Sequence, residues 1–246
     1  MRFFLEISYT GNNYHGWQVQ PNAHTVQAEL NQALSTILNI KIELVGAGRT
    51  DAGVHAKQMF AHFDCEIKFE ISRTLDKLNR FLPNDIAVHK IFKVKSDISC
   101  RFNALSRTYE YHIANTKDPF NPYIYILRKK LDVKAMNSAC EYLLGKQDFT
   151  SFSKVKTQTA TNNCNIMKAQ WEIREDRLIF SIKADRFLRN MVRAIVGTLL
   201  DIGMGKSSVD SLKNIISERN RCKAGVSVPA YALFLMEIEY SKEIRG

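Results

Sequence analysis

The sequence has little that would tie it to a membrane, a metal or an oxidising compartment. Its five cysteines (Cys65, Cys100, Cys140, Cys164 and Cys222) are odd in number and widely scattered. No pair has metal-ligand spacing, and no disulfide framework is implied. The six histidines form no H-E-x-x-H or comparable cluster. No apolar stretch approaches the roughly 20 residues of a membrane-spanning helix. At the N-terminus, Glu6 interrupts the apolar run of "MRFFLEISYT" before a signal-peptide core forms. Linkers rich in proline, glycine or serine are missing, as are low-complexity segments. These absences point to a reducing cytoplasm, no membrane and no structural metal. Acidic residues are also in deficit, 25 against 35 lysines and arginines, for a formal charge of +10. A surplus of that size fits a partner carrying many phosphates, nucleic acid being the favoured reading, and is also compatible with an ordinary basic soluble protein.

What is present is the composition of a globular chain: 246 residues, 45% apolar and 24% charged, enough for one large domain or two small ones. Residues 2–10 alternate, with Phe3, Leu5, Ile7 and Tyr9 on one face, which predicts a half-buried strand. Thr25 is placed to cap a helix carrying Val26, Leu30, Ala33, Leu34 and Ile37 at helical spacing. Strands are expected at 40–46 and 58–64, and a helix capped by Ser72 with Leu75, Leu78 and Leu82 on one face, stopped by Pro83. A strand at 86–95 completes the order β-α-β-β-α-β. The second half reads as a decorated version of the same order. It has an alternating strand at 104–114, a helix capped by Asp132 and ending at Gly145, and strands near 164–174 and 177–185. A helix at 186–202, a short one at 208–217 and a strand at 231–240 follow. The economical reading is an α+β chain of two units with antiparallel sheets, joined near residue 101 as halves 1–101 and 102–246.

Three features could carry chemistry. The first is "GAGRTDAGVHA", residues 46–56, with Gly46, Gly48 and Gly53 around Arg49 and Asp51. It fails the dinucleotide fingerprint, because Asp51 stands where the third glycine belongs and a carboxylate repels a pyrophosphate. It fails the Walker pattern, because Val54 and His55 replace the required Lys and Ser/Thr. "LDIGMGKSS" fails too, since Leu200 stands where its first glycine is required. Nucleotide-cofactor binding is therefore unsupported. The plain reading of the loop is a tight turn with an Asx motif. The functional reading is a carboxylate that glycines allow close to another surface, kept ionised if Arg49 meets it. The second feature is "DRFLRNMVRAIVG". On a helical wheel Arg186, Arg189 and Arg193 share one arc opposite Leu188, Met191, Val192, Ile195 and Leu199. This is either an ordinary surface helix or a basic stripe for a polyanion. The third is Tyr109 in "RTYEYHI", a core residue or a ring that stacks on a base.

Together these residues resemble the tRNA pseudouridine synthases of the TruA family, nearly end to end. The resemblance runs through "YHGWQVQ" (14–20), "TVQAEL" (25–30), "GRTDAGVHA" (48–56), "RFNALSRTYEY" (101–111), "DFTSF" (148–152) and "FLRNMVRAIVG" (187–197). It implies two tandem ferredoxin-like halves sharing an extended antiparallel sheet, with a basic cleft between them. It implies conversion of uridine to pseudouridine at positions 38, 39 and 40 of the tRNA anticodon stem-loop, by a homodimer needing no cofactor. The family's catalytic aspartate falls on Asp51, its stacking tyrosine on Tyr109, and its motif arginines on Arg49 and Arg193. In that scheme Arg193 pairs with Asp51, and Arg49 helps keep the flipped nucleotide out of the helix. One departure is visible: Ala232-Leu233 stands where the family usually has Gly-Leu.

Overall fold

The computed structural model of the chain describes residues 1–154 and 161–244. These form a mixed α+β structure in two compact units. The first unit comprises Met1–Leu105 and Leu235–Gly246, and the second Ser106–Phe234. The first therefore runs slightly past residue 101 and takes in the C-terminal segment.

The first unit contains β1 (Arg2–Tyr9), α1 (Val26–Leu38), β2 (Val45–Gly46), β3 (His55–Asp64), α2 (Ile71–Phe81) and β4 (Ile86–Val94). Strand β1 pairs antiparallel with both β3 and β4, while the short β2 pairs antiparallel with β3 on the side away from β1. The order β4-β1-β3, with the two-residue β2 paired to β3 beside that path, brings sequence-distant strands together across two helical crossovers. The alternation expected in β1 is real, since Leu5 and Ile7 are fully buried, but so is Phe4 on the opposite face. Phe4 packs among Phe60, Phe92 and Tyr240, with ring centroids 5.6–6.4 Å away. The strand is covered on both faces, a consequence of ring packing that alternation does not report.

Thr25 caps α1 as expected, and Asn39 ends it in the left-handed conformation that asparagine tolerates. Two boundaries differ from expectation. The cap of α2 is Glu70, not Ser72: its carboxylate accepts from the backbone N–H of Ser72 at 3.0 Å and of Arg73 at 2.7 Å. A carboxylate meets both orphan donors and the helix dipole, so it takes the place of the serine. The strand expected at 40–46 shrinks to Val45–Gly46. Ahead of it, α1 side chains satisfy the backbone. Ile42 N–H donates to Ser35 Oγ, Leu44 N–H to Asn31 Oδ1, and Leu44 C=O accepts from Gln27 Nε2. With its polar groups met by a helix, this extended segment needs no sheet partner.

The second unit begins in β5 (Ala104–Ala114) and continues through β6 (Tyr125–Ile126), α3 (Val133–Cys140), β7 (Gly145–Asp148), β8 (Asn163–Arg174), β9 (Arg177–Ala184), α4 (Met191–Gly203) and α5 (Ser211–Glu218). Its sheet runs β5-β9-β8-β7, with β6 parallel to β5. Tyr111, Phe180 and Trp171 lie in successive register positions across β5, β9 and β8 and are fully or almost fully buried. The chain returns to the first unit in β10 (Leu233–Tyr240). Strands β6 and β7 are too short to show periodicity. The α3 helix stops at Cys140, and a 3-10 turn over Glu141–Leu143 carries the chain to Gly145 at φ +85°. Among the described residues no helix is long and apolar enough to cross a membrane.

Candidate active site

The loop that joins β2 to β3 carries Arg49 and Asp51. Arg49 is exposed, Thr50 is buried and Asp51 is partly buried. The inward residue is the anchor. Thr50 Oγ1 lies 2.8 Å from the Tyr9 hydroxyl in a buried hydrogen bond, and its carbonyl accepts from the Trp17 N–H at 3.3 Å. The Asp51 carbonyl then accepts from the Val54 N–H at 3.1 Å, closing a turn. The segment 11–20 is the other half of this device. Gly16 sits at φ +90°, and a Cβ there would lie 2.4 Å from the Thr50 carbonyl oxygen, so only glycine brings the two backbones this close. Trp17 is almost fully buried. His55, also buried, accepts the Gly11 N–H on Nδ1 at 3.1 Å, which leaves the neutral ring's proton on Nε2.

This explains "YHGWQVQ" and "TVQAEL" physically. The first stretch is the brace of the Asp51 loop, and Gln27 in the second ties that brace to α1. Gln27 Oε1 accepts from Val19 N–H at 2.8 Å while its Nε2 donates to Leu44 C=O at 2.6 Å. A buried glutamine with both ends satisfied sets the spacing of three segments. By contrast, among the described residues a Cβ placed on Gly48 meets nothing within 4 Å beyond its own chain neighbours. The chain's own packing does not require glycine at that position.

In the second unit Tyr109 lies on β5, partly exposed, its ring edge-on to Phe187 with centroids 5.1 Å apart. Two residues on, Tyr111 is fully buried and donates to the Pro229 carbonyl at 3.0 Å; burial pushes its hydroxyl well above the usual tyrosine range. Arg193 lies in the first turn of α4. Its Nε donates to Val228 C=O at 2.7 Å, and its own carbonyl accepts the Val228 N–H at 3.2 Å.

The expected basic stripe on α4 is corrected here. Arg186 and Arg189 precede the helix, with Arg189 on the turn that leads into it, because Asn190 adopts the left-handed conformation (φ 66°) and the helix starts at Met191. Nor is α4 an amphipathic surface helix. Eleven of its thirteen residues are buried, Arg193 and Asp201 being the two that are not. The segment 221–229 covers the side that the wheel leaves to solvent. A Cβ on Gly197 would lie 1.8 Å from the Val226 carbonyl oxygen, and Thr198 Oγ1 accepts the Gly225 N–H at 2.8 Å. Asn190 Nδ2 donates to Ser227 Oγ at 2.6 Å, tying the helix start to the same segment. A basic face at helical spacing does exist, but on α2, where Arg73, Lys77 and Arg80 are all exposed beside the face that buries Thr74 and Leu78. Its period is present in the sequence, where the all-arginine set draws attention away from it.

The chain matches the family pattern described as tRNA pseudouridine synthase over residues 7–103 and 139–241. It belongs to that family. It is 51% identical over 245 residues to tRNA pseudouridine synthase A of Parabacteroides distasonis, covering 99% of this chain and 97% of that one. It is 52% identical over 246 residues to the protein of the same name from Bacteroides fragilis, covering 99% and 98%. A more distant relative of that name, from Borrelia duttonii, is 38% identical over 242 residues, covering 97% and 99%. The family matches span both the Asp51 loop and the Arg193 helix. The Ala232 methyl, at the position where the resemblance implies glycine, is fully enclosed at the end of a 3-10 turn leading into β10. Tyr9, Thr50 and Gln27 do not stand out in the sequence as site residues. Thr50 lies inside the motif, between the two residues that draw attention, and Tyr9 closes an alternating strand that accounts for it as core.

Proposed function

We propose that the chain isomerises uridine to pseudouridine at positions 38, 39 and 40 of the tRNA anticodon stem-loop, with Asp51 as the catalytic carboxylate. Tyr109, Arg49 and Arg193 contact the substrate. The observation that carries this reading is the Asp51 loop, which buries Thr50 and braces the main chain on both sides of a partly exposed carboxylate. Such a group is held in position yet remains reachable. Membership of the family supplies the substrate class and the reaction.

The reaction breaks the glycosidic N–C bond, turns the base and rejoins it through carbon. A base stacked in RNA has to be flipped out first. An ionised carboxylate at the sugar serves any of three routes: attack on C1′, attack on C6, or removal of the C2′ proton. Tyr109 offers a partly exposed ring for stacking on the flipped base. Arg193 is oriented through Nε, and the planar guanidinium fork fixes the direction of its Nη donors. Arg49, exposed beside Asp51, occupies the strand position the flipped nucleotide leaves. Arg186 and Arg189 add contacts to phosphates. The isomerisation moves no electrons to or from an outside carrier, so no cofactor is invoked. We further assign the enzyme to the cytoplasm as a homodimer with ferredoxin-like halves, a reading supported for the first unit by the strand order β4-β1-β3, with β2 paired to β3.

The test is incubation with unmodified tRNA and mapping of pseudouridine, alongside Asp51→Asn and Tyr109 variants. Asp51→Asn is expected to lose at least about a thousandfold in rate, because an amide is neither nucleophile nor base at neutral pH. Its tRNA binding persists or tightens slightly, since one anion fewer faces the phosphates. Tyr109→Phe keeps the ring and impairs turnover only, whereas Tyr109→Ala loses turnover and base stacking. Pseudouridine formed by Asp51→Asn at near wild-type rate would remove Asp51 from the chemistry.

A further inference from the structure

We infer that Tyr9 is a positioning residue for the reaction: through Thr50, its hydroxyl sets the place of Asp51. The inference rests on the reading of Asp51 given above. Three observations in the first unit lead to it. First, the Tyr9 hydroxyl and Thr50 Oγ1 meet at 2.8 Å with both residues buried, Tyr9 at 4% and Thr50 at 7% exposure. A hydrogen bond in such surroundings is geometrically demanding, and losing one partner strands the other in a dry site. Second, both peptide groups that flank Asp51 are anchored. The one before it is held at the Thr50 carbonyl by Trp17 N–H, and the one after it at the Asp51 carbonyl by Val54 N–H. The Thr50 side chain is the third constraint on the same short stretch.

Third, the strand carrying Tyr9 is irregular at this point. Ile7 pairs with Met59, so an unbroken register would put Tyr9 opposite Lys57; it lies opposite Ala56 instead. The extra residue falls on β3 and brings Tyr9 one position nearer the start of that strand, where the Asp51 loop ends. Bulges re-aim side chains in this way beside functional loops. The ring itself is secured independently, packing against Trp17 with centroids 6.1 Å apart. The hydroxyl is thus separable from the packing. Tyr9→Phe keeps the ring and its contacts and deletes only the oxygen that reaches Thr50.

The experiment measures kcat on unmodified tRNA, the tRNA Kd and the melting temperature for Tyr9→Phe, Thr50→Val, Thr50→Ser and the Tyr9→Phe/Thr50→Val double variant. Asp51→Asn is run in parallel. A carboxylate displaced by a fraction of an ångström to an ångström costs about tenfold to a hundredfold in rate. Tyr9→Phe and Thr50→Val are each expected to show that loss in kcat, with Kd unchanged within about twofold. Thr50→Ser, which keeps the hydroxyl, restores kcat to within about twofold of wild type. The double variant is no slower than the slower single variant, because both changes break one linkage. Wild-type kcat in folded Tyr9→Phe, with Asp51→Asn inactive, overturns the inference while leaving the Asp51 reading in place. Multiplicative losses in the double variant also overturn it. So does unfolding of both Tyr9→Phe and Thr50→Val at the assay temperature, since the pair would then be holding the fold. An active Asp51→Asn removes the reading on which it rests.

Discussion

The Asp51 loop in the first unit and the Arg193 turn in the second are built by the same means and fix different things. Each brings two backbone segments together at a glycine, Gly16 against Thr50 in one and Gly197 against Val226 in the other. In the first unit the hydrogen bonds fall on the main chain around Asp51 and on Thr50, and Asp51 itself stays partly exposed. In the second the key bond falls on the side chain, from Arg193 Nε to Val228 C=O. A short carboxylate is placed by its backbone, since it has few torsions of its own. A long arginine needs its side chain held, because rotamer freedom would otherwise blur its position.

The comparison is broken most forcefully at the glycines. Gly16→Ala adds both a 2.4 Å approach to a backbone oxygen and a side chain at φ +90°. Gly197→Ala meets the Val226 oxygen at 1.8 Å and has to push back a segment tied to α4, but it carries no positive-φ strain and alanine favours the helix it would join. Gly16→Ala is expected to cost more than about 3 kcal/mol and Gly197→Ala roughly 1–3 kcal/mol, read as urea midpoints. The opposite order would mean that the second clamp is the stiffer one. Gly48→Ala, with open space around it, is expected to leave stability within about 0.5 kcal/mol of wild type.

Acid sharpens the contrast. In the second unit Glu110 accepts from His112 at 3.1 Å and Arg174 at 2.8 Å, with its side chain 9% exposed, and these hydrogen bonds hold its carboxyl down at about 2. Unfolded, the group titrates near the ordinary glutamate value. Its contribution is therefore complete above that value and is lost as pH falls through the folded one. Wild type is expected to lose on the order of 2 kcal/mol between about pH 5 and pH 2 through this group. Glu110→Gln is expected to lack that component of the acid profile. The first unit's Arg2–Asp64 pair, at 2.8 Å, is solvent-screened because Asp64 is 61% exposed, so Asp64→Asn is expected to change the profile far less.

Arg193→Lys tests the side-chain anchor directly. Lysine has no Nε donor at that position, so the variant is expected to lose about 1 kcal/mol of stability along with activity. The smallest effects are expected at the turn before α4. Arg186→Ala and Arg189→Ala should each reduce the salt dependence of tRNA binding by about one unit of slope, if each meets one phosphate. Their melting temperatures should stay close to wild type, as neither belongs to the helix core.

Much of this is legible in the amino-acid sequence. Alternation locates β1 and β5, cap residues locate α1 and α3, and the motif string locates Asp51, because these signals are local and repeat at the period of the element. Family membership is legible for the same reason, since a run such as "GRTDAGVHA" is contiguous. The α4 reading fails because a helical wheel assumes that the helix begins where the pattern begins and that one face meets water. Asn190 at positive φ breaks the first assumption, and residues 221–229, outside the helix and some 30 residues on from its first turn, break the second. The bond between Tyr9 and Thr50 spans 41 residues and depends on a register slip in β3, so no sequence period carries it. Local chemistry determined which residues this protein possesses for its reaction. Packing between segments far apart in the chain decided which of them are held, and by which atoms, because hydrogen-bond partners across a core are chosen by geometry that a linear pattern does not contain.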